Sequence, residues 1–210
     1  MVLLEVERKF NWTMQNFQQL RMNLYSPTHL PSLRPVNLTS CAFHDTYYDS
    51  QRKLSNNGLW LRKRKPLPGR SQWEAKLRKG ANNNFVRTTF MESKDIRQIL
   101  KMVRKILPEA PGPRQTFGLD ELCTFLTYRW SFKVERKFHV VLDETCFGHR
   151  VGEVEVMAED ADKSHAEIDA LMQKHAWFFD TESNPKGKLT AYFEKFGYPG
   201  EEGNIADDES

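Results

Sequence analysis

The amino-acid sequence predicts an α+β fold in which antiparallel strands form a sheet with flanking helices. Short segments rich in aromatic and β-branched residues crowd together at residues 41–93 and 125–160, separated by Gly, Pro, Asn and Ser, a pattern typical of an antiparallel meander. Charged residues occupy every second position in several of these segments. Because alternate side chains of a strand share a face, one face of the sheet is expected to be apolar and the other densely charged.

The predicted strands are punctuated by turn-forming residues along the chain. The first strand has the sequence LLEVERKF, in which Glu5, Glu7 and Lys9 share a face. A hairpin turn is expected around Arg136. In chain order, the predicted strands cover residues 3–10, 41–50, 56–69, 71–80, 84–93, 125–135, 137–148 and 150–160.

Helical spacing of apolar residues predicts helices at 13–23, 93–107 and 162–179, and a short helix within 184–197 that begins near Pro185. Ser93 is the expected N-cap of the second helix, whose apolar stripe begins at Ile96. The proline-rich residues 26–37 are predicted to form a loop, and residues 108–115 to link the two halves of one fold.

Length and composition favour a single domain over residues 1–198, followed by an acidic, disordered tail at 199–210. The net charge of +3 is too small to indicate nucleic-acid or membrane binding. The three cysteines are an odd number without CxxC spacing, which favours free thiols in a reducing compartment. With no signal peptide and no apolar run of membrane-spanning length, we expect a cytoplasmic protein.

The charged faces are informative because the signs are segregated by strand. Carboxylates pair in GEVEV and in the first strand, whereas cations pair as Arg62 with Arg64 and as Lys76 with Arg78. Two like charges about 4 Å apart repel by roughly 4 kcal/mol at an effective dielectric of 20, so their convergence would require counter-ions. Carboxylates suit Mg²⁺ or Mn²⁺, and converging Arg and Lys suit phosphate oxygens. A closed barrel lined by both would hold a metal-bound polyphosphate, whereas an open sheet would leave the charges solvated.

Other chemistry lacks its motif in this sequence. There is no GxxxxGK[ST] loop, GxGxxG, GxSxG or HExxH pattern, which argues against P-loop, Rossmann, esterase and zincin sites. The six histidines show no metal-ligand spacing, and no functional role is predicted for them.

In order along the chain, the charged motifs resemble the CYTH, or triphosphate tunnel metalloenzyme, superfamily. Glu5-x-Glu7-x-Lys9 resembles its ExExK hallmark, and the resemblance extends from about residue 4 to residue 196. It implies a closed eight-stranded antiparallel tunnel and Mg²⁺-dependent hydrolysis of a triphosphate, with Mn²⁺ as an alternative ion. The strings EVERKF, FHDTYYDS, LWLRKR and VGEVE most resemble members that hydrolyse thiamine triphosphate to thiamine diphosphate and phosphate.

The resemblance also implies roles for individual residues. Lys76 and Glu153 are the implied catalytic residues. Trp60 shares a face with Arg62 and Arg64, so it either stacks on thiamine or packs at the end of the tunnel. The implied metal ligands are Glu5, Glu7, Asp143, Glu153 and Glu155, and the implied triphosphate-binding cations are Lys9, Arg62, Arg64, Lys76, Arg129 and Lys188.

Several functions share this tunnel chemistry. An inorganic tripolyphosphatase, a nucleoside triphosphatase or an adenylate cyclase would use the same metals and cations. A noncatalytic polyphosphate binder is disfavoured, because it would gain little from five carboxylates beside a polyanion. The expected partner is a small-molecule triphosphate rather than nucleic acid or membrane, and a monomer is expected because a closed tunnel has no exposed strand edge.

Overall fold

The computed structural model describes residues 3–25, 33–80, 86–180 and 184–199. Eight strands form one closed antiparallel barrel in the order β1-β5-β4-β3-β2-β6-β7-β8, with β8 pairing back to β1, which confirms the predicted tunnel. The strands are β1 Leu4–Phe10, β2 Val36–Asp49, β3 Leu59–Leu67, β4 Gln72–Lys79, β5 Arg87–Ser93, β6 Asp120–Val134, β7 Phe138–Thr145 and β8 Arg150–Ala158.

Five α-helices flank the barrel within the described residues. They are α1 Met14–Tyr25, α2 Lys53–Asn56, α3 Ile96–Ile106, α4 Ala161–Lys174 and α5 Lys188–Phe196. None of the helices within the described residues is long and apolar enough to span a membrane.

The main apolar core lies outside the barrel, between the strands and the helices. In β1, Val6 and Phe10 are fully buried in a cluster with Phe17 of α1 and Ile168 of α4. Their strand neighbours Glu5 and Glu7 share the other face. A second cluster packs α3 against β3 and β4, with Ile99, Val103 and Leu61 among its buried members. The predicted apolar and charged faces are therefore the outside and the inside of the barrel.

Two strands begin earlier than predicted because they pair with each other over most of their length. β2 begins at Val36 rather than at residue 41, and β6 at Asp120 rather than at residue 125. Asn37 adopts a positive φ of 58° next to a register shift in this pairing. The predicted loop at 26–37 therefore ends before Val36, and its residues 26–32 lie outside the described part of the chain.

The helix boundaries show where local signals were misread. Asp95, not Ser93, caps α3: its side chain accepts hydrogen bonds from the backbone N–H groups of Arg97 and Gln98, while Ser93 ends β5. Ile96 is 38% exposed, so the buried stripe of α3 begins at Ile99. α4 ends at Lys174 and α5 begins at Lys188, inside the predicted ranges.

The connections differ in how well they were predicted. The expected hairpin is confirmed by the positive φ angles of Glu135 and Arg136, between β6 and β7. The predicted linker runs into a short 3-10 helix at Pro113–Gly118, and α2 was not predicted. Of the predicted tail, residues 200–210 lie outside the described residues, so the disordered tail stays a prediction.

Gly152 on β8 allows an aromatic ring to lie against the barrel wall. It pairs with Phe10 of β1, and a Cβ atom built on Gly152 would lie 2.3 Å from Cζ of that fully buried ring. Packing against Phe10 therefore explains why a glycine, without a side chain, occupies this position of the VGEVE string.

We expect Gly152→Ala to lower the free energy of unfolding by about 1–3 kcal/mol, because the added methyl group overpacks a ring that cannot move away. Gly112→Ala is the matched control, since a Cβ atom there meets nothing within 4 Å and its φ of −78° suits alanine. Denaturant unfolding of both variants measures the effect. Equal midpoints for the two would contradict the assignment.

Candidate active site

The inside of the barrel holds a polar cavity of about 280 Å³, near the lower end of the roughly 300–1,000 Å³ typical of small-molecule sites. Charged side chains of β1, β3, β4 and β8 line it, together with Arg129 of β6 and Lys188 of α5. Of the twelve residues predicted for the site, all but Asp143 line this cavity: Glu5, Glu7, Lys9, Trp60, Arg62, Arg64, Lys76, Arg129, Glu153, Glu155 and Lys188.

Three carboxylates converge on one side of the cavity. Among the described residues, Glu5, Glu7 and Glu155 form the group suited to one metal ion, with ligand oxygens within 4.8 Å of one another. Glu7 and Glu155 are direct cross-strand partners. Burial and the nearby carboxylates of Glu155 and Glu7 raise the pKa of Glu5 to about 9, against the opposing charge of Lys76. A divalent cation would relieve this repulsion, so the donor set fits Mg²⁺ or Mn²⁺.

Two lysines stand among these carboxylates. Lys76 Nζ lies 2.5 Å from Glu5, 3.2 Å from Glu7 and 2.9 Å from Glu92. Lys9 forms ion pairs with Glu7 and, at 3.3 Å, with Glu153. Burial disfavours the charged form of Glu7, but Lys9 and Lys76 outweigh it and hold the pKa of Glu7 below its usual value. The lysines keep this carboxylate ionised and available as a ligand.

Strands β3, β4 and β6 carry the arginines that line the cavity, and three of these arginines are held by carboxylates. Arg62 donates to Glu74 from Nε (2.9 Å) and Nη2 (2.7 Å). Arg64 donates to Asp45 from the same two nitrogens, each at 2.7 Å. Paired guanidinium groups of this kind present a planar set of donors to phosphate oxygens.

Asp143 is paired with cations and does not belong to the converging carboxylate group. Arg129 donates to its two oxygens at 2.6 and 2.7 Å, and Lys188 donates to it as well. It lies outside the converging carboxylate group, although the sequence analysis counted it among the metal ligands. Burial and the charge of Arg129 lower the pKa of Lys188, opposed by Asp143. α5 thus supplies a buried cation that no strand could place there.

Trp60 lines the cavity next to the arginines. Its ring meets Phe90 edge to face at 5.6 Å between centroids, and the guanidinium of Arg78 lies 4.8 Å from its ring centroid. One face of the indole is therefore already in contact with a cation.

The sequence analysis missed three buried or half-buried partners of the predicted site: Glu74, described above with Arg62, and also Asp45 and His139. Asp45 of β2 is fully buried and lies opposite Arg64 of β3. His139 of β7 lies opposite Glu155 of β8, with 2.9 Å between its Nδ1 and Glu155 Oε2. Both sit at inward-facing positions of their strands. The signal that could have found them is the register of the hairpins, which pairs each with a residue of the predicted site.

Among known proteins, the chain is 29% identical to human thiamine-triphosphatase over 192 residues, covering 82% of this chain and 74% of that protein. A solved structure from Vibrio parahaemolyticus matches with a TM-score of 0.59 at 18% identity, covering 91% of this chain and 99% of the other. A protein from Hippeastrum, whose structure is described with a dominant triphosphatase activity, matches with a TM-score of 0.54 at 14% identity over 92% and 96% of the two chains.

These likenesses extend along nearly the whole barrel. The family model described as the CYTH domain matches residues 3–182, which span all eight strands and four of the five helices. The protein therefore belongs to the CYTH domain family.

Proposed function

We propose that this protein hydrolyses thiamine triphosphate to thiamine diphosphate and phosphate inside the barrel, with Mg²⁺ as cofactor and Mn²⁺ as an alternative. The observation that carries the proposal is the segregation of charge in one cavity. Glu5, Glu7 and Glu155 of β1 and β8 converge, and arginines of β3, β4 and β6 line the same cavity. A magnesium-bound polyphosphate is complementary to both sets of charges at once.

Glu5, Glu7 and Glu155 are the residues that would hold the metal, with Glu153 of the same strand face as a further ligand. When bound, the ion supplies charge neutralisation of the phosphoryl oxygens and orients or activates the attacking water. Asp143, which the resemblance also placed in this set, would join it only by giving up contacts with Arg129 or Lys188.

The cations would bind and orient the triphosphate. Arg62, Arg64 and Arg129 offer planar donors, and Lys9 and Lys188 offer point charges. Lys76 contacts three carboxylates and also lines the cavity, so it can exchange these contacts for phosphoryl oxygens during the reaction. Phosphoryl transfer depends mainly on such positioning and charge stabilisation, so no covalent nucleophile is required.

The choice of thiamine triphosphate rests on two supports. A relative that matches most of this chain is named thiamine-triphosphatase, and Trp60 offers an aromatic surface beside the phosphate-binding arginines. Inorganic triphosphate is the second candidate substrate, because every charged contact in the cavity would serve it equally. The triphosphatase activity described for the Hippeastrum protein fits either substrate.

A monomeric state and a cytoplasmic location remain predictions. The closed barrel agrees with the first, because its strands pair around the full circle and leave no edge to recruit a second copy.

We expect the purified protein to release phosphate from thiamine triphosphate faster than from inorganic triphosphate or ATP, and to lose this activity when a chelator removes Mg²⁺. Parallel phosphate-release assays with the three substrates measure the preference. Faster hydrolysis of inorganic triphosphate would leave the tunnel chemistry standing but reject thiamine triphosphate as the substrate.

Glu155→Gln is expected to lower Mg²⁺-dependent turnover by about 100-fold or more, because it removes a charged ligand from the metal group while keeping its shape. Titration of Mg²⁺ in the activity assay should show weaker metal binding, as a higher Mg²⁺ concentration at half-maximal activity. Glu109→Gln is the matched control, since Glu109 is exposed on the surface. Unchanged activity of Glu155→Gln would remove Glu155 from the metal site.

Trp60→Ala tests the thiamine contact. Stacking is worth about 0.5–1.5 kcal/mol, so we expect kcat/KM for thiamine triphosphate to fall by about 3–10-fold with little change for inorganic triphosphate. Trp177→Ala is the control, because Trp177 packs on the core outside the barrel. Equal losses on both substrates would assign Trp60 a packing role against Phe90 and Arg78.

A further inference from the structure

Three of the four arginines that line the cavity are held in the same way. Each is paired with a carboxylate that lies directly opposite on the neighbouring strand: Arg64 with Asp45 across β3 and β2, Arg62 with Glu74 across β3 and β4, and Arg129 with Asp143 across β6 and β7. In all three, Nε and Nη2 donate to the carboxylate. The same edge of each guanidinium is therefore used for holding. The Nη1 groups of Arg62 and Arg64 make longer contacts, from Arg62 to the Tyr47 hydroxyl at 3.4 Å and to Asp45 at 3.8 Å, and from Arg64 to Glu74 at 3.8 Å.

Two of these carboxylates, Asp45 and Glu74, belong neither to the converging carboxylate group nor to the implied metal ligands. Both oxygens of Asp45 are taken by Arg64, and Glu74 divides its oxygens between Arg62 and, at 3.2 Å, Lys94. Longer contacts of 3.8 Å join Arg62 to Asp45 and Arg64 to Glu74. The four groups form a network of two positive and two negative charges across β2, β3 and β4.

Burial makes this network costly as a purely structural feature. Asp45 is fully buried, and Arg62 and Arg64 expose only 14% and 13% of their side chains. Replacing buried ion pairs with apolar residues is often neutral or stabilising. A fixed guanidinium, by contrast, meets a phosphate oxygen without first losing side-chain freedom.

We propose that Asp45 and Glu74 are positioning residues, which hold the guanidinium groups of Arg64 and Arg62 in the cavity wall so that their Nη1 groups can exchange these longer contacts for oxygens of the phosphate chain. The proposal rests on the proposed triphosphatase function. Asp45 is not among the residues that line the cavity, and the oxygens of Glu74 are directed to Arg62 and Lys94, so each carboxylate acts through its arginine.

A double-mutant cycle tests the link for Asp45. Asp45→Asn keeps the shape of the side chain but removes the negative charge that accepts two hydrogen bonds from Arg64. We expect KM for inorganic triphosphate with Mg²⁺ to rise about tenfold, in line with a lost charged hydrogen bond. Arg64→Lys keeps the charge but cannot form the fork. If Asp45 acts through Arg64, adding Asp45→Asn to Arg64→Lys should change KM by less than about twofold, because the two residues share one effect.

Glu74→Gln with Arg62→Lys forms the second cycle and serves if Asp45→Asn does not fold. Melting temperatures of all variants identify losses that come from unfolding at the assay temperature. Glu144→Gln is the control, because it breaks an arginine–carboxylate pair away from the cavity. Glu144 and its partner Arg150 are 25% and 40% exposed, respectively, and neither is among the residues that line the cavity.

The outcomes separate the two proposals. Additive losses in both cycles, or single variants with unchanged KM, would overturn the positioning role while the wild-type activity upholds the function. A wild-type protein that neither binds nor hydrolyses triphosphate would overturn the proposed function, and the positioning role with it.

Discussion

The constraint on which this structure depends is the balance of charge inside a closed barrel. Inward positions of eight strands face one another across a small space, so each charged side chain is removed from much of the solvent and must find an opposite charge. The chain meets this requirement locally. Arg64 with Asp45, Arg62 with Glu74 and Arg129 with Asp143 are neighbours across a hydrogen-bonded strand pair. The carboxylate group of Glu5, Glu7 and Glu155 has no bidentate arginine of this kind; Lys9, Lys76 and the His139 contact balance it less completely, and that deficit is what suits it to a cation.

The charged interior determines where the apolar core lies. Small barrels usually fill their interior with apolar side chains, but here the interior is committed to charge, and the core moves to the outer face. Val6 and Phe10 of β1 need α1 and α4 to cover them, while Leu61 of β3 needs α3. The helices are thus part of the core, and close contacts such as that of Phe10 with Gly152 stabilise the wall that carries Glu153 and Glu155 on its inner side.

Periodicity explains why so much of this fold could be predicted from the sequence. Alternation assigns side chains to faces before any pairing is known, so Glu5, Glu7, Arg62 and Arg64 could be placed together inside. Alternation does not give the register between strands, and the contacts that depend on register were missed. Asp45 and His139 carry no motif of their own, and the position of Asp143 between Arg129 and Lys188 depends on where α5 begins. The predicted cap of α3 was wrong for a local reason. Ser93 and Asp95 are both residues that favour capping positions, and the length of β5, which includes Ser93, decides between them.

Under the proposed function, recognition of the phosphate chain and recognition of the organic group would be physically separate in this cavity. The paired arginines and the carboxylate group respond to charge, which every triphosphate shares, so they contribute affinity without selectivity among triphosphates. Selectivity must come from a side chain such as Trp60, and one face of its indole already meets Arg78. A cationic thiazolium would therefore have to use the remaining face or displace Arg78, whereas a small inorganic triphosphate would need neither. Because Trp60 takes no part in the arginine–carboxylate pairs, substitutions around it would change the substrate of such a tunnel while the charge balance, on which the barrel itself depends, stays intact.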